Sequence, residues 1–132
     1  MKTLGGSTFV YNGNKFDYNF RETTQCLQEL CDEVVICAIP SDDGTIEDIK
    51  PLLDSKTKLI LVDEELWNAT HGKERLSYFS NIAIANLTTD YNIYCQADEV
   101  IHQDSFSAIR KAVETGAEAF MCTRLNLWRD PY

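Results

Sequence analysis

Hydrophobic and polar residues alternate along the chain in a pattern that switches repeatedly between strand-like and helix-like periods. Short β-rich runs occur near residues 7–11, 34–38, 59–62, 91–96 and 119–123. Between them, apolar residues recur at helical spacing over residues 20–30, after the turn at 41–45, over 73–87 and near 106–113. This alternation predicts a layered α/β domain with a mostly parallel sheet. The last run opens a fifth strand directed toward Trp128.

Length and composition predict a single domain over residues 1–132. With 44% hydrophobic residues the chain has enough apolar surface for one core, and no linker, repeat or low-complexity stretch divides it. No apolar run approaches the roughly 20 residues of a membrane-spanning helix, and the first six residues lack the apolar core of a signal peptide. The end of the sequence has no polar tail, which suggests continuation into a longer protein.

The charge and the cysteines narrow the classes of partner. A formal net charge of -9 argues against nucleic acid, because phosphate backbones are bound by clustered Lys and Arg. An anionic small ligand would therefore need a metal ion or a few well-placed cations. The five cysteines form no C-x-x-C pair, so we expect a reducing, cytoplasmic location, no zinc site and inert core thiols.

Polar residues follow three of the predicted strands at their carboxyl ends, at 11–13, 41–45 and 96–99. In an open α/β sheet these ends converge on the ligand cleft, so Asp98 is expected to project toward a phosphate-bearing substrate. Two unit charges 4 Å apart repel by roughly 4 kcal/mol at an effective dielectric of 20, and a bridging divalent metal relieves that repulsion. Alternatively, Asp98 or Glu99 caps the next helix or lies solvated in a turn.

The order of these polar segments resembles that of a known enzyme family. Tyr11-Asn12, the Asp-Asp-Gly-Thr turn at 42–45 and the Gln-Ala-Asp of 96–98 are similar to motifs in the nucleotide-sugar half of the family-two inverting glycosyltransferases. The resemblance spans roughly residues 8–124 and implies the GT-A fold, a three-layer α/β sandwich with a mostly parallel sheet.

The resemblance also implies roles for residues of the first two motifs. The backbone around Val10 and Tyr11 would line the pocket for the nucleotide base, and Asn12 would close the adjacent turn. Asp42 or Asp43 would contact the base or the ribose. The same residues have an alternative reading, because Asp-Gly is a common turn and Asp43 is a good helix cap.

Further roles follow for the metal motif and the third helix. Gln96 stands where the family has an acid, and a neutral amide can still bond a ribose hydroxyl. Asp98 would be the direct ligand of Mn²⁺ or Mg²⁺. At the start of the third helix, Lys73 or Arg75 would contact phosphate. Asn81 would either contact the sugar or make a structural hydrogen bond.

Together these roles imply a transferase that moves a sugar from a nucleotide-diphosphate donor to the hydroxyl of a carbohydrate or lipid-linked acceptor, with inversion and metal assistance. Inversion needs a general base, which in this family lies well beyond the metal motif. Beyond Glu118 the only remaining acid is Asp130, so we expect the base outside this chain. The chain would then be a donor-binding part, truncated relative to a full transferase and completed by a further domain of the same protein.

Two other classes remain open. A receiver-like or degenerate transferase-fold binding module suits the length, and Asp63 follows the third strand where a receiver carries its phospho-acceptor. A receiver also needs an acidic pair after the first strand, where this chain has Tyr11 and Asn12. A nucleotidyltransferase needs a Gly-rich loop there to hold phosphate, and residues 12–15 contain only one glycine. Gly5-Gly6 precedes the first strand, which argues against a Walker-type phosphate loop.

Overall fold

The computed structural model describes residues 1–126 and contains one sheet with helices on both faces. The strands are β1 (Leu4–Val10), β2 (Glu33–Ala38), β3 (Thr57–Leu61) and β4 (Tyr91–Tyr94). The helices are α1 (Phe20–Leu30), α2 (Thr45–Ile49), α3 (Glu64–Ala69), α4 (Gly72–Ala85) and α5 (Phe106–Glu114), with 3₁₀ turns at Lys50–Leu52 and Gln103–Ser105. All strand pairs are parallel, in the order β3-β2-β1-β4. The predicted α/β class with a mostly parallel sheet is confirmed.

The sheet separates two hydrophobic cores, and β2 contributes to both because successive side chains point to opposite faces. Val34 and Ile36 belong to the core that includes Leu27 of α1. Val35 and Cys37 belong to the core that includes Phe79 of α4. Burial on both faces explains why β2 reads as a continuous apolar run instead of an alternating one.

Close packing explains the two glycines at the start of β1. A Cβ atom at Gly5 would lie 2.4 Å from Thr89 Oγ1 and 2.8 Å from a Leu87 methyl carbon. A Cβ at Gly6, on the opposite face, would lie 3.0 Å from Cys31 Sγ. The glycine pair therefore lets segments on both faces approach the central strand, in a position unrelated to the carboxyl edge of the sheet.

One predicted strand is wrong over the described residues. Residues 119–123 form no strand, and Trp128 lies outside the described residues. The neighbouring edge strand β4 has only four residues, and the segment is held beside it by side chains. The Tyr91 hydroxyl donates to the Ala117 carbonyl over 2.8 Å, and the Tyr91 and Phe120 rings pack 5.9 Å apart. Side-chain anchoring here replaces the main-chain pairing expected from the β-rich sequence.

Helix α3 was not expected from the sequence. Its six residues bury only Trp67, so it shows no helical repeat of apolar positions. The helix begins at a side-chain cap, since Asp63 Oδ1 accepts a 2.9 Å hydrogen bond from the Glu65 amide. Asp63, the position compared above with a receiver's phospho-acceptor, thus serves as a helix cap. In residues 1–126 no helix is both long and apolar enough to cross a membrane.

Candidate functional site

A cleft of about 490 Å³ opens at the carboxyl ends of the neighbouring strands β1 and β4. The loop after β1 forms one wall, α3 and α4 form another, and the turn after β4 closes the third side. Its lining residues are Phe9, Val10, Tyr11, Phe16, Tyr18, Trp67, Arg75, Leu76, Ser77, Ser80, Tyr94, Gln96, Ala97 and Asp98. The sheet edge at which sequence analysis placed a ligand therefore does carry a cleft, as expected for parallel α/β sheets.

Aromatic rings dominate the wall formed by β1 and α3. The Tyr11 and Trp67 rings lie 4.3 Å apart, and Trp67 lies 5.1 Å from the buried ring of Phe79. These separations are typical of tilted aromatic contacts. Because Phe79 belongs to the core behind the cleft, the wall is fixed by the core and offers a flat ligand a stable apolar surface.

Arg75 is the cation of this lining, and it is held in place by α3. Its Nη2 donates to the Trp67 carbonyl over 2.8 Å and its Nε donates to the Thr70 carbonyl over 3.0 Å. Both carbonyls belong to the C-terminal end of α3, where such oxygens have no partner within the helix. The guanidinium also lies 4.1 Å from the centroid of the Trp67 ring. The positive charge is thereby positioned beside the aromatic wall.

The turn after β4 brings Gln96 and Asp98 into the lining of the cleft. Both side chains are exposed, and within residues 1–126 the Asp98 carboxylate accepts no hydrogen bond. Glu99 instead closes the turn, because its Oε2 accepts from the Gln96 amide over 3.0 Å and its Oε1 pairs with Arg124 over 3.0 Å. The two adjacent acids thus have different roles, and Asp98 is the one whose oxygens remain available to a ligand.

Tyr94 adds a hydrogen-bond donor to the floor of the cleft. Burial raises the pKa of its phenol above the ordinary value, and the neighbouring negative charge of Glu99 acts in the same direction. The phenol therefore stays protonated at neutral pH and can donate to an oxygen of a ligand.

The structure brings five of the sequence-predicted site residues together in the cleft lining: Val10, Tyr11, Arg75, Gln96 and Asp98. Asn12 lies next to them, buried, at the start of the loop after β1, and its φ of 52° is in the left-handed region that asparagine tolerates. Its carbonyl accepts a 3.0 Å hydrogen bond from the Phe16 amide, which closes the turn.

The remaining predicted residues do not line the cleft. Lys73 and Asn81 are exposed on α4, and Asp42 is exposed in the turn after β2. Asp43 uses both of its oxygens within the protein. Oδ1 accepts from Ser41 Oγ and the Thr45 amide, and Oδ2 accepts from the Lys15 amide.

Asp43 supports the cleft without facing it, because the Lys15 amide belongs to the loop that supplies Phe16 and Tyr18. Partial burial opposes its ionisation, but the bonds from Ser41, Lys15 and Thr45 outweigh burial and hold the pKa of the carboxyl well below its usual range. Sequence analysis offered two interpretations of Asp43, a ligand contact and a structural residue of the turn. These contacts agree with the structural interpretation.

The most informative residue missed by sequence analysis is Trp67. A lone tryptophan in a six-residue helix gives no periodic signal, and its place in the cleft depends on how α3 packs against β1. The sequence could not decide between Lys73 and Arg75 as the phosphate contact. The corner between α3 and α4 distinguishes them, because the chain turns there so that Arg75 faces Trp67 while Lys73 faces solvent.

The cleft is suited to a divalent cation only if a bound ligand supplies part of the coordination shell of that cation. In the described residues, no three His, Cys, Asp or Glu side chains are grouped for metal binding. Mg²⁺ typically takes one or two protein carboxylates and completes its shell with substrate phosphates and water. A single exposed carboxylate such as Asp98 meets that requirement, so Asp98 would hold the cation jointly with a phosphorylated ligand.

Comparison with known proteins gives a likeness in fold. No family profile matches the sequence, and no curated protein sequence is similar to it at a significant level. The crystal structure of S. aureus TarS 1–349, a glycosyltransferase, is similar with a TM-score of 0.62 and 19% identity. The match covers 87% of this chain and 33% of that chain, so this chain spans about a third of the matched protein. The protein thus has a glycosyltransferase-like α/β fold.

Proposed function

We propose that the chain binds the nucleotide-diphosphate part of a sugar donor in this cleft and serves as the donor-binding part of an inverting, metal-assisted glycosyltransferase. The observation that carries the proposal is that Arg75 and Asp98 both line one aromatic-walled cleft at the carboxyl edge of the sheet. The nucleotide-diphosphate part of a sugar donor has a flat aromatic base and a dianionic diphosphate, and these two chemistries match the two kinds of lining.

The aromatic wall is assigned to the base. Tyr11, backed by the almost fully buried Trp67, offers an apolar surface on which a heterocycle would pack, a contact worth about 1–3 kcal/mol per base in nucleic-acid complexes. Arg75 is assigned to the diphosphate, because charge-assisted hydrogen bonds from guanidinium to phosphate are short and strong. Its existing bonds to α3 fix the group before the ligand arrives, which reduces the entropy lost on binding.

Asp98 is assigned to a divalent metal shared with the diphosphate, and Gln96 to a ribose hydroxyl. When bound, Mn²⁺ or Mg²⁺ would neutralise the charge that develops on the departing diphosphate. Asp98 contributes one negative charge to that site, and the neutral Gln96 contributes a hydrogen bond without adding a second charge. Tyr94, which stays protonated, donates to a donor oxygen at the floor of the cleft.

The general base and the acceptor site belong, in this proposal, to a further domain of the same protein. An inverting transfer needs a base that removes the proton from the acceptor hydroxyl as that oxygen attacks the anomeric carbon. The matched glycosyltransferase chain is about three times as long as the part that this protein covers, so most of that chain has no counterpart here.

Calorimetric titration with UDP, GDP and CDP, each with and without Mn²⁺, tests the proposal. We expect one nucleotide to bind in a metal-dependent manner and Asp98→Asn to abolish that dependence. Asp104→Asn is the matched control, since it removes another exposed carboxylate in the 3₁₀ turn before α5, outside the cleft. Asp104→Asn should bind as the unchanged protein does.

Two results would count against the transferase reading. If none of the nucleotides binds in the presence of Mn²⁺, the chain is a transferase-fold binding module with another ligand. If a nucleotide binds equally well with Asp98→Asn and with the unchanged chain, the metal assignment is wrong even though the cleft is a nucleotide site.

A further inference from the structure

Two cysteines on different elements meet behind the turn that carries Asp98. Cys26 lies on α1 and Cys95 directly follows β4; both are buried in the same core. Both sulfur atoms contact the same turn, because Cys26 Sγ accepts from the Ile101 amide and the Cys95 thiol donates to the Glu99 carbonyl, each over 3.4 Å. Neither thiol has a role in the donor site proposed above.

The turn after β4 is fastened to α1 on both sides of this cysteine pair. Thr23 Oγ1 donates to the Glu99 carbonyl over 2.6 Å and lies 3.3 Å from the Ala97 carbonyl. The Ile101 amide donates to Cys26 Sγ over 3.4 Å. These contacts hold residues 95–101 against one turn of α1. They therefore fix the positions of the two sulfur atoms relative to each other.

The surroundings distinguish Cys26 from the other buried thiols. Cys26 borders a second cleft of about 280 Å³ between α1 and the segment at 100–106, which gives a small oxidant access. The interaction between the two thiols lowers the pKa of Cys26 and raises the pKa of Cys95. Burial raises the pKa of Cys31 and of Cys37 to about 12. Thiolate character, which controls reactivity, therefore concentrates on Cys26.

We propose that Cys26 and Cys95 form a reversible intrachain disulfide when the protein meets a peroxide. The Cys26 thiolate attacks one oxygen of hydrogen peroxide, the O–O bond breaks, and Cys26 becomes a sulfenic acid while hydroxide leaves and takes up a proton as water. Cys95 sulfur then attacks the sulfenic sulfur, the S–O bond breaks and a second water leaves. Two thiols and one peroxide thus give one disulfide and two water molecules.

The bond would alter the turn that carries the metal ligand. A disulfide draws the two sulfur atoms to about 2.05 Å and requires a Cβ–S–S–Cβ dihedral near 90°. Cys95 precedes Asp98 by three residues, so the shift would pass into the turn that presents Gln96 and Asp98. This consequence rests on the proposed donor site; the disulfide itself does not.

Peptide mapping after treatment of the whole chain with hydrogen peroxide tests the bond. Cleavage after glutamate separates Cys26, in a peptide of residues 23–29, from Cys31 and Cys37. We expect this peptide to be linked to the one that contains Cys95, with the loss of two free thiols and two hydrogens per chain. Dithiothreitol should reverse the link. Cys95→Ser should prevent it, and Cys37→Ser, a matched removal of another buried thiol, should not.

Different results separate this inference from the proposed function. Sulfinic acid on Cys26, or peroxide-induced dimers joined only through the exposed Cys122, would overturn the disulfide. A mapped link in a chain that binds no nucleotide in either redox state would uphold the disulfide and contradict the donor site. A mapped link together with weaker nucleotide binding, restored by dithiothreitol and absent in Cys26→Ser, would uphold both.

Discussion

The guanidinium of Arg75 lies over the indole ring of Trp67, 4.1 Å from the ring centroid, and donates a 2.8 Å hydrogen bond to the carbonyl of the same residue. This pairing joins the end of α3 to the first turn of α4. It also explains why a half-exposed cation keeps a defined position beside an aromatic wall. Cation–π contacts of this kind contribute about 0.5–2 kcal/mol, depending on how far they are desolvated.

Replacement of Arg75 by lysine should weaken nucleotide binding although the charge is kept. A lysine ammonium cannot stack on the indole as a planar group while donating to two carbonyls in the geometry of a guanidinium. Loss of one charged hydrogen bond to phosphate, about 1.5–3 kcal/mol, corresponds to at least tenfold weaker binding. Calorimetry with the nucleotide that binds best measures this. Lys73→Ala is the comparison, and an equal loss there would favour the exposed lysine as the phosphate partner.

Much of the fold could be predicted because the apolar pattern and the contacts agree. Helix α1 begins at Phe20 and ends at Leu30, as its spacing indicated, since both ends and Leu27 are buried on one face. The run at 119–123 had a comparable β-rich composition but pairs with no strand of the described residues. Strand formation depends on a partner at the sheet edge, and that information is not contained in the run itself.

The site could be predicted only in part, for a related reason. Tyr11 and Asp98 follow strands, and parallel topology alone brings strand ends together. Trp67 and Arg75 reach the cleft through the corner between two helices, a geometry set by tertiary packing. The sequence around Asp43 is also compatible with a ligand-binding acid. In the structure, however, the backbone amides of Lys15 and Thr45 donate to its carboxylate oxygens.

The glycine pair in β1 should be required for packing. Gly5→Ala should lower the free energy of unfolding by about 1–3 kcal/mol, because overpacking forces neighbouring groups to move. The nearest obstacles are Thr89 Oγ1 and the methyl groups of Leu87. Chemical denaturation measures the change. Ser7→Ala in the same strand is the control: its buried hydroxyl has no partner in the described residues, so its removal should be nearly neutral. Equal stability of the two variants would contradict the packing role.

Asp43 should stabilise the loop after β1 in a pH-dependent manner. Its folded-state pKa lies below the ordinary value of 3.8, so its ionised form is favoured by folding. The stabilisation is therefore fully present above about pH 4 and is lost as the pH falls below that value toward the folded-state pKa. Asp43→Asn should cost about 1–2 kcal/mol at neutral pH, and the difference from the unchanged protein should shrink on acidification.

Denaturation curves at about pH 7, 5 and 3 measure the effect of Asp43→Asn. Asp42→Asn is the matched control, because that neighbouring carboxylate is exposed and accepts no hydrogen bond from a described residue. It should change stability by less than about 0.5 kcal/mol at every pH. A stability difference for Asp43→Asn that stayed constant from neutral to acid would show that the charge of Asp43 is not what stabilises the turn.

Gln96→Asp should strengthen metal-dependent binding by adding a second carboxylate to the turn that carries Asp98. A second carboxylate raises the negative charge available to a divalent cation, and charge count is one of the terms that set the affinity of oxygen-ligand sites. The exposed position of Gln96 makes the change tolerable, since its backbone amide, which donates to Glu99 Oε2, is kept. Without metal, the added charge should repel a diphosphate, so the ratio of affinities with and without Mn²⁺ should rise by about tenfold or more for roughly 1.4 kcal/mol of added attraction.

Gln103→Asp, on the 3₁₀ turn before α5 and outside the main cleft, adds the same charge as a control. If Gln96→Asp leaves the ratio unchanged while Asp98→Asn abolishes binding, the cation is held by Asp98 alone, and Gln96 acts only on the uncharged part of the ligand.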